Sequence, residues 1–259
     1  MTSRIEKTFK RLKKEGKKAF IPYVMAGDPS LERTKEIVLL FEECGADIVE
    51  LGVPFSDPLA DGPTIQRASE RALKNGVTLR KVVSLVKDLR QVTRIPTVLM
   101  TYYNPVFKYG IDNFIKDAKD AGVDGMIVPD LPPDEAEDFI QQSRKAAIDT
   151  IFLLAPTSTE DRIKKVAKAS SGFIYYVSIT GITGSSLLLD GSMEELILNI
   201  RKYTDRPIAV GFGVSTPVEA SAVARVSDGV IVGSAIVKRL HETPDELKYY
   251  LISLREAIK

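Results

Sequence analysis

Residues 47–63 read Asp-Ile-Val-Glu-Leu-Gly-Val-Pro-Phe-Ser-Asp-Pro-Leu-Ala-Asp-Gly-Pro. The first five residues have the apolar, β-branched character of a short buried strand, with Glu50 in its middle. Side chains alternate across a strand, so Ile48 and Glu50 share one face and Val49 and Leu51 the other. If Val49 and Leu51 pack outward on helices, Glu50 points into the interior of the sheet or barrel. A buried carboxyl is costly unless partnered or used. The loop that follows is stiffened by Pro54, Pro58 and Pro63, bends at Gly52 and Gly62, and carries Asp57 and Asp61. A buried Glu at a strand end facing a rigid acidic loop outlines an acid/base site. The spacing alone does not choose between the two aspartates, because Asp-Pro and Asp-Gly are both common turn dipeptides.

The same unit, a short apolar run followed by an amphipathic stretch, recurs along the chain. The predicted strands are 19–25, 48–51, 97–101, 125–128, 150–154, 173–177, 208–210 and 229–232. Between them the pattern predicts helices such as 30–44, 79–93, 111–121, 133–146 and 159–169, then 193–203, 217–224 and 244–258. Asp28-Pro29-Ser30, Ser158-Thr159-Glu160 and Ser215-Thr216-Pro217 offer caps, and Gly45, Gly122 and Gly172 stand at ends. Strands that are apolar throughout and alternate with helices predict a parallel sheet covered by helices. Eight units in 259 residues match an α/β fold of the (β/α)8 TIM-barrel type. An open doubly wound sheet fits less well, since no Gly-x-Gly-x-x-Gly follows the first strand. Residues 1–18 add an N-terminal amphipathic helix with Ile5, Phe9 and Leu12 on its apolar side. No linker or shift of composition divides the chain, so a single domain over 1–259 is expected.

With 36 Lys+Arg against 35 Asp+Glu, the net charge of +1 offers no electrostatic capture of nucleic acid or an anionic membrane. No apolar run is long enough to span a bilayer, and the lysine-rich N-terminus lacks a signal core. One cysteine, Cys44, fits a reducing cytoplasm. A single histidine, His241, makes a His/Cys metal site and a Ser-His-Asp triad unavailable. It is expected to be a solvated helix residue. No strand interior holds a Lys for Schiff-base chemistry.

In a barrel, chemistry sits on the loops after the strands. Tyr23, Tyr102, Tyr175 and Phe212 fall at strand ends, where they line an apolar pocket or simply fill core. Gly211-Phe212-Gly213 and Gly233-Ser234 stand where the last two strands turn into helices, and Gly181-x-x-Gly184 follows the sixth. Glycines let backbone approach a ligand, and helix N-terminal amides point at anions, so a phosphate monoester is favoured over mere tight turns. The residues by themselves leave carboxylate acid/base chemistry on a phosphorylated substrate with an apolar part. A sugar-phosphate isomerase and a non-catalytic activating subunit remain alternatives.

Longer motifs add a resemblance. Phe20-Ile-Pro-Tyr-x-x-Ala-Gly-Asp-Pro and Glu50-Leu-Gly-Val-Pro-Phe-Ser-Asp-Pro-Leu-Ala-Asp-Gly-Pro-x-Ile-Gln closely resemble the tryptophan synthase α-subunit family. Pro129-Asp-Leu-Pro, Gly181-Ile-Thr-Gly, Gly211-Phe-Gly-Val-Ser and Val232-Gly-Ser-Ala-Ile-Val follow in order. Ser178-Ile179-Thr180 lacks the Arg many members carry after the Ser. The resemblance implies cleavage of indole-3-glycerol phosphate to indole and glyceraldehyde 3-phosphate. It also implies an αββα heterotetramer in which indole passes to a β subunit holding pyridoxal phosphate, with no cofactor in this chain. Carried over by position, Glu50 is the general acid/base, Asp61 the second catalytic carboxylate, and Asp57 a subunit-contact residue. Gly184, Gly213, Gly233 and Ser234 fall at the phosphate, and Tyr23, Met100, Ile127, Tyr175, Thr183 and Phe212 at the indole pocket and its lid.

Overall fold

The computed structural model describes residues 2–177, 192–211 and 213–259. Nine strands, all paired in parallel, follow the order β5-β4-β3-β2-β1-β9-β8-β7-β6. They are β1 (Ala19–Met25), β2 (Val49–Gly52), β3 (Thr97–Met100), β4 (Gly125–Ile127), β5 (Asp149–Ile151), β6 (Leu153–Leu154), β7 (Ile174–Val177), β8 (Ile208–Gly211) and β9 (Gly229–Val232). The two ends of this order are neighbours in sequence. At Phe152 the chain stops pairing with β4 and starts pairing with β7, and the Tyr175 amide donates to the Phe152 carbonyl at 3.1 Å. The predicted fifth strand is therefore one crossing in two segments, and the sheet curls into a nearly closed barrel with helices outside.

Alternation sorts the core into two compartments. Ile21, Ile48, Val98, Ile127, Ile151 and Ile231 fill the barrel, while Val49, Leu51, Leu99 and Met126 pack outward under the helices. The interior is closed at the N-terminal ends of the strands by the helix Arg4–Lys14. Ser3 caps it, its Oγ accepting from the Glu6 amide at 3.1 Å. Ile5, Phe9 and Leu12 recur at helical spacing and are all buried in the interior cluster, with the Phe9 ring 5.7 Å from that of Phe173. Polar ties hold the plug in register. Ser3 Oγ donates to Asp149 at 2.6 Å and Arg4 to Asp124 at 2.7 Å. Asp124 also receives Arg90 at 2.6 Å and the Thr97 amide at 2.9 Å, so its buried charge is fully engaged.

The expected caps hold in place: Ser30, Thr159 and Thr216 each accept the amide three residues on. Three helices were not expected: Pro63–Lys74, Tyr103–Tyr109 and Ser234–Glu242. They follow β2, β3 and β9, the first after the loop 53–62 and the other two almost at once, in addition to the helices that form the outer layer. Among the described residues no helix is long and apolar enough to cross a membrane. If the N-terminal helix closes the barrel as argued, Phe9→Ala opens a void among buried neighbours. It is expected to cost about 3–5 kcal/mol, read as a lower midpoint in urea denaturation.

Candidate active site

Glu50 lies on the interior face of β2, level with Tyr23 of β1, and is 1% exposed. Its position follows from the parity of the strand, since Ile48 two residues earlier is in the interior cluster. Its Oε2 has no hydrogen-bond partner among the described residues. Burial, with the nearby charge of Asp61 as the second cause, raises its pKa to about 8. At neutral pH the group is mostly the neutral acid.

Asp61 reaches the same place from outside the barrel, on the loop between β2 and the helix Pro63–Lys74. Several contacts build that loop. The Phe55 amide donates to Ser69 Oγ at 2.9 Å, and Ser69 Oγ donates to the Phe55 carbonyl at 2.9 Å. Gln66 Nε2 donates to the Asp61 carbonyl at 2.9 Å, and the Ala60 amide donates to the Tyr102 hydroxyl at 3.0 Å. The Tyr102 ring packs on Phe55 with centroids 5.1 Å apart. Burial raises Asp61 to about 6, and the Tyr102 hydroxyl, directed at the carboxylate, holds it back from rising further. Asp57 is elsewhere: it is exposed and accepts a hydrogen bond from Ser56 Oγ at 2.8 Å. The structure thus separates two aspartates that spacing could not.

Above Glu50 the barrel is lined by tyrosines. Tyr23 and Tyr175 are both buried, and burial, with the charges of Glu50 and Asp61, pushes both phenols upward, so they remain protonated. Each lies across a strand lacking a side chain. A Cβ at Gly52 would overlap the Tyr23 hydroxyl, and one at Gly211 the Tyr175 ring and hydroxyl. The first glycine of Gly-Phe-Gly therefore makes room for Tyr175, a packing reason that differs from the expected approach to phosphate. Met100 and Ile127 occupy the ends of β3 and β4 on the same interior face, Ile127 buried and Met100 half-buried.

Across the mouth, Gly213 adopts φ 79°, in the left-handed region that favours glycine. Past it, Glu219 accepts from the Ser215 amide at 2.7 Å and the Thr216 amide at 3.0 Å, completing a capping box. Gly233 forms the N-cap of the helix Ser234–Glu242 without a side-chain cap, leaving exposed Ser234 and the first amides of that helix free to face an anion. Thr183, Gly184 and Phe212, expected at the phosphate and in the pocket, lie outside the described residues.

The geometry can be set beside known proteins. The family model of the tryptophan synthase alpha chain matches residues 9–259. This chain belongs to the tryptophan synthase alpha chain family. The alpha chain of Geotalea uraniireducens is 53% identical over 258 residues, covering 99% of this chain and 97% of that one. That of Thermoanaerobacter sp. is 47% identical over 262 residues, covering 99% and 100%. The crystal structure of tryptophan synthase subunit alpha from Legionella pneumophila superposes with a TM-score of 0.92 at 37% identity, covering 100% of this chain and 99% of that one. A Mycobacterium tuberculosis tryptophan synthase structure gives 0.93 at 38%, with the same coverage. The alpha-chain fold is thus shared over the full length. Members of the family work with a β subunit, to which pyridoxal phosphate belongs.

Tyr102, open in the sequence between pocket lining and core, has a further role: its hydroxyl bridges Ala60 and Asp61. Nothing in the local sequence signals this, because the two partners are distant in the chain. His241 is an exposed helix residue, as expected, and its Nε2 also lies 2.9 Å from the buried carboxylate of Asp28. For the packing of Tyr175 on Gly211, the expected outcome of Gly211→Ala is a loss of about 1–3 kcal/mol from overpacking, measured by thermal unfolding.

Proposed function

We propose that this chain cleaves indole-3-glycerol phosphate to indole and glyceraldehyde 3-phosphate, with Glu50 and Asp61 as the catalytic carboxylates. One observation carries the reading: a buried Glu50 raised to about 8 beside an Asp61 at about 6. Between those values one is an acid and the other an anion, the pair of states the reaction requires. Asp61 as carboxylate accepts the hydrogen bond of the indole N–H and stabilises the positive charge that develops on the ring. Glu50 as acid donates its proton to indole C3. The resulting Glu50 carboxylate then removes the proton from the hydroxyl on the adjacent side-chain carbon. The bond from C3 to that carbon breaks, its electron pair restoring the indole, and the carbon leaves as the aldehyde of glyceraldehyde 3-phosphate.

The other assignments combine the shape of the mouth with the family resemblance, which alone supplies Thr183, Gly184 and Phe212. The phosphate is held by the Gly213 turn, the Gly233 and Ser234 end of the last strand, and Gly184. Tyr23, Met100, Ile127 and Tyr175 bound the indole, with Thr183 and Phe212 closing over it. No basic residue lies in the loops after β8 and β9, so the anchor rests on backbone amides and the Ser234 hydroxyl. Leu59, close in chain to the exposed Asp57, is 94% exposed, and Phe107, after the third strand, is 66% exposed. These residues suit burial against the β subunit in an αββα assembly, to which indole is delivered.

Two measurements test this. Glu50→Gln is expected to lower indole release by about 10²–10⁴-fold while inorganic phosphate still competes with substrate; near-normal cleavage would contradict the assignment. The pH profile of kcat/KM is expected to be bell-shaped, rising as Asp61 ionises near 6 and falling as Glu50 loses its proton near 8. Tyr102→Phe removes a group that lowers Asp61, so its rising limb is expected to move to higher pH. A limb left in place would count against that role.

A further inference from the structure

We infer that Asp28, Arg71 and His241 are positioning residues that set the span between the carboxylate side and the phosphate side of the site. The inference rests on the reading above. Asp28 follows β1 at the mouth of the barrel and is 2% exposed. Arg71 grips it with both arms, Nε to Oδ1 at 2.8 Å and Nη2 to Oδ2 at 2.8 Å. His241 Nε2 lies 2.9 Å from Asp28 Oδ2 and 2.8 Å from Arg71 Nη2. With Nε2 protonated the ring donates to the carboxylate, and with Nε2 unprotonated it accepts from the guanidinium, so each tautomer ties His241 to one member of the Asp28–Arg71 pair.

None of the three reaches the proposed reacting groups, but the elements they join do. Arg71 is in the last turn of the helix Pro63–Lys74, which starts two residues after Asp61. His241 is in the last turn of the helix Ser234–Glu242, whose first residue is the phosphate serine. The two helices pack on each other and on β1. Asp28 is a fixed point between them. The Gly27 amide before it donates to Thr34 Oγ1 at 2.9 Å, and Asn75 Nδ2 holds the Pro29 carbonyl at 2.6 Å. A side chain at Gly27 would run into Val77. A bidentate guanidinium–carboxylate pair fixes both distance and orientation, which a single point contact would not.

A ligand that touches both anchors senses their separation, and one that touches only the phosphate side does not. That difference distinguishes positioning from general support. The test uses the full chain with indole-3-glycerol phosphate as the spanning ligand and inorganic phosphate as the one-sided competitor. In His241→Phe and Arg71→Lys, kcat/KM is expected to fall by about ten- to a hundredfold, while the inhibition constant of phosphate stays within about twofold. His241→Gln, whose amide can still donate to Asp28, is expected to recover most of the loss. Unchanged kcat/KM in both variants, or phosphate affinity falling in step with it, would overturn the inference alone. An unmodified chain that releases no indole would overturn the function proposed above and this inference with it.

Discussion

Glu50 keeps a carboxyl group inside a barrel filled mainly with apolar side chains, with one oxygen unsatisfied among the described residues. Such a group costs stability wherever it is placed, so the surrounding structure must hold it there. It does so from below. The helix Arg4–Lys14 drives Ile5, Phe9 and Leu12 into the N-terminal end of the barrel, and Ser3, Arg4, Arg90, Asp124 and Asp149 lock that end with charged and polar ties. Within the barrel, the apolar plug and its ionic ties lie at the closed end. The open end is left for tyrosines and carboxyls. Gly52 and Gly211 extend the same logic, since two phenols fit around Glu50 only because the facing strands carry no side chain there.

The protonation of the pair follows from where each carboxyl comes from. Glu50 belongs to a strand and has no route to water, so desolvation dominates its rise. Asp61 belongs to a loop, is half-buried, and keeps a hydroxyl directed at it by Tyr102. Strand and loop therefore assign acid and anion without a third charged group. The loop is itself an outgrowth of the barrel, pinned at Phe55 by Ser69 and at Ala60 by Tyr102. Its tip, with Leu59 and Asp57, stays exposed.

Much of this was legible in residues 47–63, because strand parity is a strict rule: once Val49 and Leu51 face helices, Glu50 must face inward. The apolar stripe of the N-terminal helix and the caps at Ser30, Thr159 and Thr216 were legible for equally local reasons. The three accessory helices were not. The helix Pro63–Lys74 buries Ala68, Ser69 and Ala72, small residues that leave no apolar stripe, and Tyr103–Tyr109 is only seven residues long. The interruption at Phe152 was hidden because Ile151 and Leu153 keep facing inward across it, so the alternation never changes. The environment of His241 depends on Asp28, 213 positions away, and no local pattern encodes that contact.

The absence of basic residues from the last two strand loops then acquires a reason. A full positive charge at about 8 Å, at an effective dielectric constant of about 20, stabilises an anion by about 2 kcal/mol, or about 1.5 pKa units. Placed across a narrow barrel mouth, a lysine or arginine would lower Glu50 toward neutrality and remove the acid from the unliganded site. A helix N-terminus carries about half a charge, and its effect falls off within a turn, so as the proposed phosphate anchor it would influence the carboxyls correspondingly less. Arg71 and His241 do approach the region, but their nearest charge is that of Asp28, which the guanidinium meets with both arms. Neutralised in this way, the cluster can fix the two accessory helices with little effect on the raised pKa of Glu50.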